Sequence, residues 1–120
     1  MEKANVSKSI IPFLLGHFRK FPGMYLGENK ISLLDAFITG HTIGLFDNNI
    51  NAYSDPFWGG DQKVSFFNWY GRKTGRKESS SWFNQIHSDS KGTEQEALSY
   101  FFERLEEYNN EVTKFTIEKF

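Results

Sequence analysis

Apolar residues recur every three or four positions along most of the chain, which is the spacing of one face of an α-helix. Strict alternation of apolar and polar positions, which is typical of a half-buried strand, is nearly absent. The pattern therefore predicts an all-α, single-domain helical bundle of about five helices. The predicted helices lie within residues 11–20, 32–48, 63–73, 78–90 and 92–115.

Polar residues and glycines mark several predicted helix ends. Thr93 and Glu96 have the spacing of a capping box, in which each side chain accepts a backbone hydrogen bond from the other residue. Ser32 is the predicted N-cap of the second helix. The third helix is predicted to end near Gly71 or Gly75, since glycine is the commonest residue just beyond a helix C-terminus.

Glycines inside and before the second predicted helix require an explanation. Gly40 and Gly44 weaken a helix by up to about 1 kcal/mol each, so we expect them to permit the close approach of a neighbouring helix. Pro22 and Gly23 suit the two central positions of a type II turn. We therefore interpret this region as a connector between helices, with residues 24–26 packed across the core.

Residues 49–62 form the longest stretch rich in turn-forming residues. They also contain Tyr53, Phe57 and Trp58. Most of the 21 aromatic residues of the chain should be core residues, because large rings bury area efficiently. The three rings of this long aromatic loop are the ones we expect to be exposed and to anchor a partner.

The length and composition limit the possible classes of protein. A chain of 120 residues and 14.0 kDa is expected to form a single domain, residues 1–120. It has no cysteine, which excludes disulfide bonds and agrees with a reducing compartment. Its longest apolar runs are too short to span a membrane. We therefore expect a cytoplasmic protein without a membrane partner.

The charge of the chain is balanced overall but acidic in its last predicted helix. The formal net charge is −1, and no segment concentrates the positive charge that nucleic-acid binding requires. The last helix carries six glutamates, with Arg104 as the main basic residue among them. Such a surface is expected either to be a solvated helix face or to attract a basic partner.

The three histidines are the candidates for catalysis. Two histidines and a lysine can cleave RNA by acid–base chemistry, so His17, His41 and His87 make a small ribonuclease-like enzyme one alternative. Nothing in their spacing brings them together. There is also no pair of histidines one helical turn apart and no cysteine, so we expect no metal site and no cofactor.

The stretch "FRKFPGMYLGENK", residues 18–30, resembles the run that opens the ATP-binding domain of type II topoisomerases. That pattern continues with a helix on which a Glu activates water and an Asn, after an Asp, holds magnesium. Asp47 and Asn48 resemble the Asp-Asn pair, but Gly44 occupies the position of the Glu. The adenine-reading Asp is also missing from residues 72–81. We therefore expect neither nucleotide binding nor ATP hydrolysis.

A second resemblance covers most of the chain. The segments "PGMYLG", "LLDAFITGH", "FFNWYGRKTG", "SSSWFNQI" and "EALSYFFERLEEY", in this order, resemble the small bacterial immunity proteins of contact-dependent growth inhibition and related polymorphic toxins. The likeness spans roughly residues 18–108. It implies a protein without enzymatic activity that binds one cognate toxin domain and blocks its active site. Many such toxins are nucleases with basic clefts, and an acidic surface on the immunity protein is complementary in charge to such a cleft.

Contact residues cannot be transferred from this family, because its interfaces differ between relatives. We therefore predict them from the aromatic loop and the acidic groups. A helical adaptor module is the third alternative, beside the immunity protein and the histidine enzyme. The predicted partner-binding residues are Asp47, Tyr53, Asp55, Phe57, Trp58, Asp61, Glu103, Glu106, Glu107 and Glu111.

Overall fold

The helical pattern of the sequence is realised as six α-helices in a computed structural model, which describes residues 9–59, 64–75 and 81–117. No β-strand occurs within these ranges, so the predicted all-α class is confirmed. The helices are α1 (Ile10–Phe13), α2 (Pro22–Leu26), α3 (Ile31–Asp47), α4 (Phe66–Thr74), α5 (Trp82–Ser90) and α6 (Glu94–Tyr108). A π-helical turn continues α1 over Leu14–Phe18, another continues α6 over Asn109–Thr113, and a 3₁₀ turn spans Ala52–Ser54.

Two helix ends, the start of α6 and the end of α4, form as the local sequence predicts. The Thr93 side chain accepts from the Glu96 backbone N–H at 3.1 Å, and the Glu96 carboxylate accepts from the Thr93 backbone N–H at 2.7 Å. The capping box at the start of α6 is thus confirmed. At the end of α4, Gly75 has a φ of +71°, a left-handed conformation that glycine adopts without steric penalty.

The start of α3 differs from the prediction. The helix begins at Ile31, so Ser32 is its second residue and not its N-cap. The backbone N–H of Ser32 donates to the Glu94 carboxylate at 3.0 Å. Hydrogen bonding to Ser32 lowers the pKa of Glu94. The first residue of α6 therefore satisfies a free donor of α3, a capping role that a distant residue has taken over from a local one.

The expectation for Gly40 and Gly44 was wrong. A Cβ atom built on either residue would meet no non-local atom of the described residues within 4 Å, so no described helix approaches α3 closely at these positions. Both residues are exposed. This side of α3 is therefore exposed at Gly40 and Gly44.

The segment that was predicted as a type II turn forms the short helix α2. Pro22 lies at its first position, where a missing N–H leaves no hydrogen bond unmade. Gly27 ends the helix with a φ of +83°. Of the three apolar residues expected to cross the core, Leu26 packs against it and Tyr25 stacks on the buried Phe18 from outside, whereas Met24 is 66% exposed.

The core is built around α6, whose inner face meets rings from nearly every other element. The ring of Phe102 lies 6.1 Å from that of Phe18, at the end of the first π-helical turn. The ring of Tyr108 lies 5.6 Å from that of Phe66 in α4, and its hydroxyl donates to the backbone carbonyl of Val64 at 2.7 Å. The buried residues that α6 contributes are Ala97, Leu98, Phe101, Phe102, Leu105 and Tyr108.

Candidate functional site

Asp55 does not lie on the surface, contrary to its prediction as a partner contact. Its side chain is buried, with 6% of the residue exposed. The carboxylate accepts three hydrogen bonds, from the Ser9 hydroxyl at 2.8 Å, the Ile10 backbone N–H at 2.7 Å and the Phe57 backbone N–H at 3.0 Å. These bonds attach the loop after α3 to the start of α1, so the role of Asp55 is structural.

Phe57 is also a core residue, and its prediction as an exposed anchor was wrong. It has no exposed surface. Its ring stacks on that of Phe66 at 5.6 Å and meets the ring of Phe67 edge-on at 4.9 Å. The neighbouring Trp58 is half-buried and packs on Phe57 at 5.2 Å. The loop thus directs most of its aromatic area inwards, because the α4–α6 interface offers rings to pack against.

What remains exposed of the predicted aromatic site lies at the end of α3. Tyr53 is 56% exposed, and its ring packs edge-on against that of Phe46 at 5.2 Å. Ile43 and Asp47 are exposed on the same helix end. We call Ile43, Phe46, Asp47 and Tyr53 the α3-end patch. Asp61, the other predicted residue of this region, lies outside the described residues.

The four predicted glutamates of the last helical segment are exposed, as expected. We call Glu103, Glu106, Glu107 and Glu111 the glutamate stripe. The side chain of Glu103 is the most exposed, at 61%. The stripe shares no hydrogen bond, ion pair or ring contact with the α3-end patch within the part of the chain that the structure describes.

Cations from three elements reduce the negative charge of the glutamate stripe. Arg19, which follows the first π-helical turn, lies 2.9 Å from Glu106. Arg104 lies 3.4 Å from Glu107, and Lys73 of α4 lies 3.3 Å from Glu111. The sequence indicated Arg104 alone, because Arg19 and Lys73 reach the stripe only through the fold. The surface is therefore less negative than expected.

Glu111 has a further partner that fixes its position. Its carboxylate accepts from the indole N–H of Trp69 at 2.9 Å. This hydrogen bond, followed by that from Lys73, lowers the pKa of Glu111. The end of the stripe near α4 is thus tied to a buried ring, while Glu103 at the other end is the freer carboxylate.

An exposed apolar surface that the sequence analysis missed lies on α1 and α2. Four side chains there are exposed although they are large and apolar. A five-residue helix such as α2 can turn few of its side chains to the core, and none of its residues is fully buried. The short length of "PGMYL" before Gly27 was the available signal. The four residues, which we call the α1–α2 aromatic surface, are Phe13, Phe21, Met24 and Tyr25.

Ring contacts make this surface continuous. The Tyr25 ring lies 5.4 Å from that of Phe13 and stacks on the buried Phe18 at 5.1 Å. The hydroxyl of Tyr25 lies 2.6 Å from Nδ1 of His17, whose ring in turn lies 5.4 Å from that of Phe21. The rings are therefore held in place by the core and by one another, which is the preorganised state that favours binding.

A groove extends the α1–α2 aromatic surface towards α3. It has a volume of about 860 Å³, and Phe13 forms part of its wall. Contiguous exposed apolar area of this kind is rare on monomeric proteins and commonly marks an interaction site. The groove is lined by Ser9, Ile10, Pro12, Phe13, Phe37, His41, Pro56 and Phe115.

A smaller, polar cleft joins the α1–α2 aromatic surface to the glutamate stripe. It has a volume of about 380 Å³. Pro22, which begins α2, and Glu103 of the stripe both line it. Arg19 lies between them, with its guanidinium 5.9 Å from the centre of the Phe102 ring. Because Pro22 follows Phe21 directly in the chain, the two surfaces come close together at this cleft.

The histidines lie on different elements and have different surroundings. His17 bonds to Tyr25, His41 lines the apolar groove, and Nε2 of His87 lies 3.1 Å from the backbone carbonyl of Gly92. Within residues 9–59, 64–75 and 81–117, no group of three or more His, Asp or Glu side chains is placed to hold a metal ion.

A polar cluster between α4, α5 and α6 has a structural explanation. The hydroxyl of Tyr70 donates to Asp89 and lies 3.1 Å from the hydroxyl of Tyr100. Burial, with the hydrogen bond to Asp89, raises the pKa of Tyr70. The Tyr70 hydroxyl thus joins α4 to α5 and lies within hydrogen-bond distance of α6.

Comparison with models of known protein families, with curated proteins and with solved structures gave no match to this chain. Among the described helices, none combines the length and the apolar character that crossing a membrane requires.

Proposed function

We propose that this protein is an immunity protein that binds a cognate bacterial toxin domain and occludes its active site, without catalytic activity of its own. Support comes from the resemblance of residues 18–108 to such proteins. The observation that carries the proposal is that the exposed α1–α2 aromatic surface lies close to the exposed glutamate stripe at the polar cleft. A basic protein partner can bury exposed rings at its interface and pair its positive charges with the carboxylates nearby.

The α1–α2 aromatic surface and the glutamate stripe are expected to have separable effects on binding. Large apolar groups that become buried hold a complex together and act mainly on its dissociation rate. Exposed carboxylates attract a basic partner before contact and act mainly on the association rate. Because three of the four glutamates lie within 3.4 Å of a cation, we expect the rings to supply most of the affinity.

The test uses the product of the neighbouring upstream gene as the candidate toxin domain. Met24→Ala combined with Phe21→Ala should accelerate dissociation of the complex and abolish protection of cells that produce the toxin. Both side chains are exposed, so the fold should be retained. Ile43→Ala combined with Tyr53→Ala on the α3-end patch is the matched control, which should leave protection intact.

Charge reversal tests the contribution of the glutamate stripe. Glu103→Lys combined with Glu107→Lys should slow association and reduce its dependence on salt, with little change in the dissociation rate. Loss of protection only in the α3-end variants would place the interface there, as the sequence predicted. No interaction with the toxin domain, together with nuclease activity that depends on the histidines, would refute the immunity function in favour of an enzyme.

A further inference from the structure

We propose that the polar cleft between α6 and the end of α1 receives an arginine side chain of the protein partner. The inference rests on the proposed function only in requiring that the partner be a basic protein. It identifies the chemistry of one contact, which the sequence did not indicate. The residues of the cleft that carry the argument are Arg19, Pro22, Asn29, Gln95, Ser99 and Glu103.

The charge of the cleft favours a cation. Arg19, the basic residue of the lining, is already paired with Glu106 at 2.9 Å. Glu103 has Arg104 as its nearest described cation, at 3.9 Å, and that guanidinium lies closer to Glu107, at 3.4 Å. Glu103 is therefore the carboxylate of the stripe whose charge is least compensated, and it faces the cleft.

The uncharged groups of the cleft suit a guanidinium group. A guanidinium presents five N–H donors in one plane, and the cleft offers matching acceptors in the Glu103 carboxylate, the Ser99 hydroxyl and the amide oxygens of Asn29 and Gln95. The partly exposed Pro22 contributes apolar surface against which the aliphatic stem of an arginine can pack, whereas Phe102 is 4% exposed and lies 5.9 Å from the Arg19 guanidinium. The volume of about 380 Å³ is at the lower end of the range for small-ligand sites, which suits a single side chain.

An anionic ligand fits the cleft less well. It would meet the unneutralised carboxylate of Glu103. The guanidinium of Arg19, the group that could attract it, already donates to Glu106. An anion would therefore share that guanidinium with Glu106, whereas a cation can pair with Glu103, whose nearest described cation is 3.9 Å away.

The experiment titrates the full chain with N-acetyl-arginine amide and follows ¹H–¹⁵N correlation spectra at constant ionic strength. We expect saturable shifts of the side-chain amide signals of Asn29 and Gln95 and of the backbone signal of Ser99. N-acetyl-citrulline amide, which has nearly the same shape without the charge, should give no such shifts. Glu103→Gln should weaken the binding of the arginine derivative about three- to fivefold, which is what an exposed ion pair contributes.

Glu111→Gln is the matched control, because Glu111 belongs to the glutamate stripe but lies outside the lining of the cleft and pairs with Lys73 and not with Arg104. It should leave the titration unchanged. Equal binding of the citrulline derivative, an unchanged affinity in Glu103→Gln, or shifts induced by N-acetyl-aspartate amide in place of arginine would overturn the inference. The titration requires no toxin domain, so its failure is distinguishable from failure of the proposed function.

Discussion

Replacing Asp55 with alanine should destabilise the fold by about 3 kcal/mol without a direct effect on partner binding. The substitution removes a buried carboxylate that joins the loop after α3 to the first residues of α1. Two of its three donors, the backbone N–H groups of Ile10 and Phe57, lie in buried surroundings. The third donor, the Ser9 hydroxyl, is partly exposed and can turn to water.

The magnitude follows from the two N–H groups that lose their acceptor. A buried donor left without a partner costs about 1–3 kcal/mol. Two such donors give about 2–6 kcal/mol. Part of this loss is offset because the alanine variant no longer buries a charged carboxylate, whose desolvation costs free energy. Asp55→Asn should cost less, because its amide oxygen can still accept from Phe57 while its NH₂ group faces the N–H of Ile10.

Urea denaturation followed by circular dichroism at 222 nm measures this difference. With a slope of roughly 1.5–2 kcal/mol per molar urea for a domain of this size, a loss of 3 kcal/mol lowers the midpoint by about 1.5–2 M. Asp47→Ala, which removes an exposed carboxylate near the end of α3, is the control and should move the midpoint by less than about 0.3 M. A similar small shift for Asp55→Ala would refute the structural role of this residue.

Three further predictions concern the helix ends and the core. Thr93→Ala should lower the free energy of unfolding by about 1 kcal/mol in the same urea assay. Ser81→Ala should cost less, because Ser81 makes no side-chain capping bond, and equal losses would contradict the capping-box assignment. Gly44→Ala should raise the melting temperature, with a gain of about 0.5–1 kcal/mol, since the added methyl group meets open space, and Gly75→Ala at positive φ should lower it. Burial, followed by the charge of Asp55, raises the pKa of Tyr108 to about 12, so its contribution to stability is present below pH 10 and is lost as the pH rises through about 12. Neither Tyr70 nor Tyr108 should contribute to the change in absorbance at 295 nm near pH 10 in the folded protein, so Tyr108→Phe should leave that change as it is in the parent protein. A smaller change in the variant would mean that Tyr108 titrates at the ordinary pH and would contradict its burial.

The features that the sequence predicted correctly depend on residues close together in the chain. The capping box needs only Thr93 and Glu96, and the apolar face of α6 repeats over fifteen residues. Gly75 ends α4 because a left-handed residue is needed directly after the last turn. Local spacing determines such features, so the all-α class and most helix positions were predictable.

The features that were missed depend on partners far away in the chain. Pro22 and Gly23 suit either a turn or a first helical turn, and the local sequence does not distinguish these. Asp55 resembles a surface loop residue until the start of α1, 45 residues earlier, supplies its donors. Arg19 reaches Glu106 across 87 positions, so the charge of the glutamate stripe could not be read from α6 alone.

The central position of α6 also affects how the chain folds during its synthesis. Chains are made from the N-terminus at roughly 5–20 residues per second, so α6 leaves the ribosome after the other described helices. Until then, the rings of Phe18, Phe57 and Phe66 lack the residues of α6 that cover them. The nascent chain therefore exposes aromatic surface until α6 has been made. We expect its yield in cells to depend on chaperones and on growth temperature more than its length alone would indicate.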